Sequence, residues 1–187
     1  MAAFTFDPDR VASYETAGWR AYYERRWLRL LRLTVDMCQA EFAIPFPKSW
    51  LAAYYITRAS LAWAPIDHNI KLVQCYLERF YRIAQRSSRL PFDPGRVGAL
   101  ELRYFDVHRR LVGVPEKQEF VQTLIELHSA LFGVSSEQAR ESAEARVLAA
   151  TLVDEITNGR SDDVPGDWAR IEAALRRCYR SLRRHLG

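Results

Sequence analysis

Apolar residues recur at three- and four-residue spacing along almost the whole chain, and no stretch sustains the alternation of a half-buried strand. The pattern predicts helices, and Pro, Gly and Asp mark where they start and stop. Asp7-Pro8 opens a first helix that runs long, to about Phe42, where Ile44–Pro47 stops it. A second spans about Pro47 to Trp63. Pro65 opens a third, with Asp67 and His68 in its first turn, ending near Ser87. Asp93-Pro94 opens a fourth, ending at Gly113, and Pro115 opens a fifth, ending at Gly133. Ser135–Gln138 reads as a capping box for a sixth helix that ends near Gly159. A seventh begins around Pro165 and fills the C-terminus. The connections are short, so neighbouring helices should run antiparallel. The expected fold is all-α: one single-domain helical bundle over residues 1–187, six or seven helices around a long, largely buried first helix.

One pattern recurs. FDPDRVASYE (Phe6–Glu15) and FDPGRVGALE (Phe92–Glu101) share Phe, Asp, Pro, Arg, Val and Glu in register. Most of this is a helix-starting device. Asp7 and Asp93 are N-caps, Pro8 and Pro94 first helical residues, and Phe6/Val11 and Phe92/Val97 the pairs a hydrophobic staple joins. Capping does not explain Glu15 and Glu101. Each lies five residues beyond its Arg, too far round the helix to pair with it. Two readings follow: a good helix start used twice, or a duplicated three-helix half with a C-terminal helix added.

Composition changes the picture little. Apolar residues make up 49% and charged residues 27%, ordinary for a globular protein. Of 23 aromatic residues, all but Phe120, Phe132, Trp168 and Tyr179 lie at or before Phe105, so the first half supplies most of the bulk. Cys38, Cys75 and Cys178 are odd in number and far apart, which argues against a disulfide framework or a zinc site. They read as three buried free thiols and point to a reducing cytoplasm. The opening MAAFTFDPDR has no signal-peptide pattern. Trp50–Ile66 is apolar but short and carries Arg58, so it reads as a buried core helix, and no membrane partner is expected.

The net charge of +4 equals the excess between Asp167 and Gly187, where six Arg meet two acids. Trp168, Ile171, Leu175, Cys178 and Leu182 form a docking stripe there, and the arginines read as its solvated back. The excess is too small, and too far from any recognisable module, to suggest nucleic-acid binding.

No phosphate-binding loop, dinucleotide fingerprint or nucleophile elbow is present. Candidate chemistry rests on polar residues that fall on apolar helix faces. Glu101 and His108 share one face of the fourth helix, His128 lies inward on the fifth, and Asp154 borders the inward stripe of the sixth. His108, His128, Glu101 and Asp154 could converge as a non-haem metal set, though the Glu-x-x-His spacing of di-iron bundles is absent. Arg58, set among apolar residues, would need an anion if buried. Arg58, Glu101 and His108 are therefore the candidate ligand-binding residues. The leading expectation is a non-enzymatic helical protein that binds a protein partner, a second copy of itself, or a small ligand between its helices. The alternative is a metal- or haem-dependent oxidoreductase with its site inside the bundle.

Overall fold

A computed structural model describes residues 4–186. It is all-helical: α1 (Pro8–Tyr23), α2 (Trp27–Phe42), α3 (Lys48–Trp63), α4 (Ile70–Ser88), α5 (Pro94–Arg110), α6 (Gln118–Phe132), α7 (Ser136–Thr157) and α8 (Val164–Arg183). Six or seven was an undercount, because the long first helix is two helices. No Pro or Gly announces the break in YYERRWL. The chain turns at Arg25, whose φ is +57°. The Arg25 N–H donates to the Tyr22 carbonyl and the Arg26 N–H to the Ala21 carbonyl, the bond pair of a Schellman ending. A left-handed arginine costs about 1–2 kcal/mol; packing α2 back along α1 offsets it. A second correction concerns Asp67 and His68. They lie in the α3–α4 connection, since α4 starts at Ile70 with Asn69 as its cap.

The break changes the repeat from three helices to four. Asp7 accepts from the Asp9 and Arg10 amides and Asp93 from the Arg96 amide, so the two FDP segments are equivalent starts for α1 and α5. Phe6, Val11, Phe92 and Val97 all enter one core. α2 and α6 each end on a buried Phe, Phe42 or Phe132, followed by a left-handed residue, Ala43 or Gly133. α3 and α7 bury small side chains at matching stations: Ser49, Ala52 and Ala59 against Ala139, Ser142 and Ala149. LERFYR of α4 and LRRCYR of α8 align Leu77 with Leu175 and Tyr81 with Tyr179.

The packing repeats too. Each helix lies on the next, and the α4–α5 seam that joins the halves has its counterpart in α8 against α1, which closes the ring. At the α4–α5 seam the backbones come close: a Cβ on Gly98 would lie 3.3 Å from the Leu77 Cβ and 3.2 Å from the Glu78 amide nitrogen. The C-terminal stripe docks as expected, with Trp168, Ile171, Leu175, Cys178 and Leu182 all buried.

Two burial expectations fail. Cys75 is exposed, while Cys38 and Cys178 are buried. The apolar segment Trp50–Ile66 is not a core helix. α3 buries only a narrow stripe of Ser49, Ala52, Ala53 and Ala59, half-buries Tyr55, Ile56 and Trp63, and leaves Trp50, Leu51, Tyr54 and Leu61 outside. No described helix is long and apolar enough to cross a membrane.

Candidate functional site

The two glutamates that capping left unexplained meet equivalent partners at the centre of the ring. Glu15 of α1 accepts from the Tyr179 hydroxyl of α8 at 2.7 Å. Glu101 of α5 accepts from the Tyr81 hydroxyl of α4 at 3.0 Å. Each joins the first helix of one half to the last helix of the other. Each tyrosine ring also stands edge-on to an FDP phenylalanine, Tyr179 to Phe6 and Tyr81 to Phe92, both at 6.0 Å between centroids. The symmetry stops at Arg146 of α7. Its guanidinium grips both Glu15 oxygens, at 2.5 and 3.2 Å. The corresponding station on α3 is Ile56, so Glu101 has no such cation.

Glu41 of α2 completes the cluster and has no cation of its own. Burial pushes its carboxyl up to about 8; the Glu15 charge adds to this and Arg146 opposes it. Glu41 therefore holds its proton at neutral pH. Burial also raises the Glu101 carboxyl, against the pull of Arg146 and the Tyr81 hydrogen bond.

The residues expected to converge are held in separate pairs. His108 Nε2 lies 3.2 Å from Asp154 Oδ1, with its ring stacked on Phe120. His128 is buried, its Nδ1 2.7 Å from Ser142 Oγ, and that hydroxyl donates to the Ala139 carbonyl. Burial, then the Arg146 charge, lowers the His128 imidazolium to about 3, so the ring is neutral. Glu101 is with Tyr81. Among the described residues, no three His, Cys, Asp or Glu side chains are grouped to hold one metal ion. The ligand set of Arg58, Glu101 and His108 is not assembled either. Arg58 is exposed and lies over the Tyr76 ring, 5.4 Å from its centroid. The arginine drawn inside is Arg146, whose side chain is 14% exposed. Its signal was its neighbours: Ala143, Val147 and Ala150 bury the same side of α7.

The other departure from symmetry is outside. Trp50, Leu51, Tyr54 and Leu61 on the outer side of α3 are each 45–58% exposed. The matching stations on α7 are Arg140, Glu141, Glu144 and Thr151. Beyond α3 the connection exposes Ile66, at 91%. Charge differs in the same place. Between 48 and 88 six cationic residues face two acidic ones, whereas between 136 and 183 eight face nine. α8 spends its arginines internally: Arg177 and Arg184 both hold Glu141 of α7, and Arg180 holds Asp9 of α1. On α4, Arg79 lies over the Tyr55 ring of α3, and among the described residues neither it nor Arg86 has a carboxylate partner.

Compared with protein-family models, with curated proteins and with solved structures, the chain matches none.

Proposed function

We propose that the protein acts by docking a partner protein on the outer face of α3 and its connection to α4, rather than by catalysis. One observation carries this: the same helix is built twice, and α3 wears a cluster of apolar side chains outside, Trp50, Leu51, Tyr54 and Leu61, where α7 exposes Leu148. α7 occupies the equivalent place with Arg140, Glu141 and Glu144 on its surface, so the geometry of the repeat does not call for Trp50, Leu51 and Tyr54 to be apolar. Clustered exposed aromatic and aliphatic groups with a polar rim are the usual mark of an interaction surface. The cations beside them, Arg58 and Arg79, favour an acidic partner. A symmetric pairing of two copies through this face would set those cations against each other, which is unfavourable.

The test is site-specific photocrosslinking in the cells that make the protein. Crosslinkers at Tyr54 and Leu61 should give one discrete adduct, and those at Glu144 and Thr151 none. The adduct should vanish in a Trp50→Glu/Leu61→Glu variant that still melts as the parent does. Equal adducts from both faces, or none from either, would overturn the reading. An adduct of twice the chain mass would replace the acidic partner with a second copy.

A further inference from the structure

Deepening that reading, we infer that Arg79 and Arg86 form a receptor for one carboxylate of the partner. The second half of the molecule is the template. There Glu141 of α7 stands between two arginines of α8, 3.2 Å from Arg177 Nε and bonded through its other oxygen to Arg184. The repeat equates Arg177 with Arg79, Arg184 with Arg86, and Glu141 with Leu51. The first half therefore has both arginines and Leu51 in place of the carboxylate.

The local packing agrees with this equivalence. Arg79 lies over the ring of Tyr55, one turn along α3 from Leu51, with 5.7 Å from its guanidinium carbon to the ring centroid. The ring leaves the guanidinium exposed, and its paired N–H groups can take a carboxylate by two parallel bonds. Both arginines are exposed. A partner that brings the missing group and also covers Leu51 would satisfy the charge and the apolar surface together. An acidic side chain bordering an apolar stripe meets both needs, as on an amphipathic helix. A phosphate would answer the charge, but the sister site holds a carboxylate, and Trp50, Leu51 and Tyr54 around the pair want apolar contact.

Two measurements test the receptor on the full chain. Leu51→Glu supplies the carboxylate in cis. Its carboxyl, followed by NMR, should fall below the usual range, the direction of Glu141: desolvation raises Glu141, and the hydrogen bonds and charges of Arg177 and Arg184 together outweigh it. Adding Arg79→Gln and Arg86→Gln should return it to normal. Titration at the ordinary value in Leu51→Glu alone would overturn the inference.

The second measurement uses two labelled helical peptides. Both carry leucines on one face; one has glutamates bordering them and the other has glutamines. The glutamate peptide should bind at least ten-fold tighter by anisotropy. That advantage should shrink with added salt and be absent in the arginine variant and in Leu51→Glu. Equal binding of the two peptides would remove the receptor and leave the docking face standing. A depressed carboxyl in Leu51→Glu with no crosslinked adduct at Tyr54 or Leu61 would do the reverse. Binding of anionic lipid vesicles but of neither peptide would overturn both.

Discussion

On α7, Glu141 reaches across to Arg177 and Arg184 of α8; on α3, Leu51 stands at that station and the matching arginines of α4 have no carboxylate. Inside, the two hairpins agree. Both bury small residues between their helices, and both send a tyrosine, Tyr81 or Tyr179, to a glutamate of the opposite half. What the halves share is what the ring requires: caps, small seams, the tyrosine–glutamate ties. What they do not share is free of that requirement, and two of the differences bear on function. One is Arg146 at the centre; the other is the outer face of α3.

The central difference should have the largest effect. Arg146→Ile puts on α7 the residue that α3 carries at Ile56. It leaves the Glu15 carboxylate buried with Tyr179 as its remaining partner. Removing one side of a buried ion pair costs about 3–5 kcal/mol, which chemical denaturation would read directly. Adding Glu15→Gln should restore a large part of the loss. If Arg146→Ile alone proved harmless, the two halves would not differ in the way claimed.

Acidity sharpens the same contrast. The Glu41 carboxyl is at about 8 in the folded state against 4.5 unfolded, so the native state holds the extra proton between those values. Stability should fall as pH rises from 4.5 to 8. His128 is at about 3 folded against 6.5 unfolded, so there the unfolded state holds the extra proton, and stability should rise with pH from 3 to 6.5. The two slopes oppose each other between 4.5 and 6.5. The expected profile is a plateau in that window, with a loss on the order of 2 kcal/mol from pH 6.5 to 8. Glu41→Gln should abolish the alkaline loss and leave the acid limb; melts of both proteins across pH decide it.

The tyrosine ties differ in a smaller way. Tyr179 bonds a Glu15 that Arg146 also holds, and Tyr81 bonds a Glu101 that is in no such ion pair. A hydrogen bond to a charged group contributes about 1.5–3 kcal/mol and an ordinary one about 1. Tyr179→Phe should therefore destabilise more than Tyr81→Phe. The opposite order in paired melts would show that the ion pair adds nothing to the Tyr179 tie.

Much of this architecture is written in local chemistry. Pro8, Asp93, the Ser135–Gln138 box and Gly133 mark helix ends by backbone needs that any sequence reading can use. The turn at Arg25 is not so marked, because α2 packing on α1 supplies what a glycine would have supplied. That hidden turn also concealed the four-helix repeat. For the site, an apolar face identified Glu101 and His128 as inward, but periodicity cannot say which helices meet. It therefore paired Glu101 with histidines rather than with Tyr81. The same blindness put Arg58 inside. α3 reads as apolar all round, and only its neighbours decide that the Ala52–Ala59 side is the buried one.

The smallest expected effect tests that last point. Leu51→Glu gives α3 the residue of α7, and Glu141→Leu gives α7 the residue of α3. Leu51 is 46% exposed, so little buried area is lost. An exposed ion pair contributes at most about 1 kcal/mol. Leu51→Glu should then be neutral or stabilising by up to about 1 kcal/mol as the new carboxylate meets Arg79 and Arg86. Glu141→Leu should destabilise by a similar amount. Urea melts of the two variants, at low and high salt, should shift in opposite directions and converge as salt screens the charges. A Leu51→Glu protein that lost several kcal/mol would show that the outer side of α3 is working as core, and the contrast between the two hairpins would go with it.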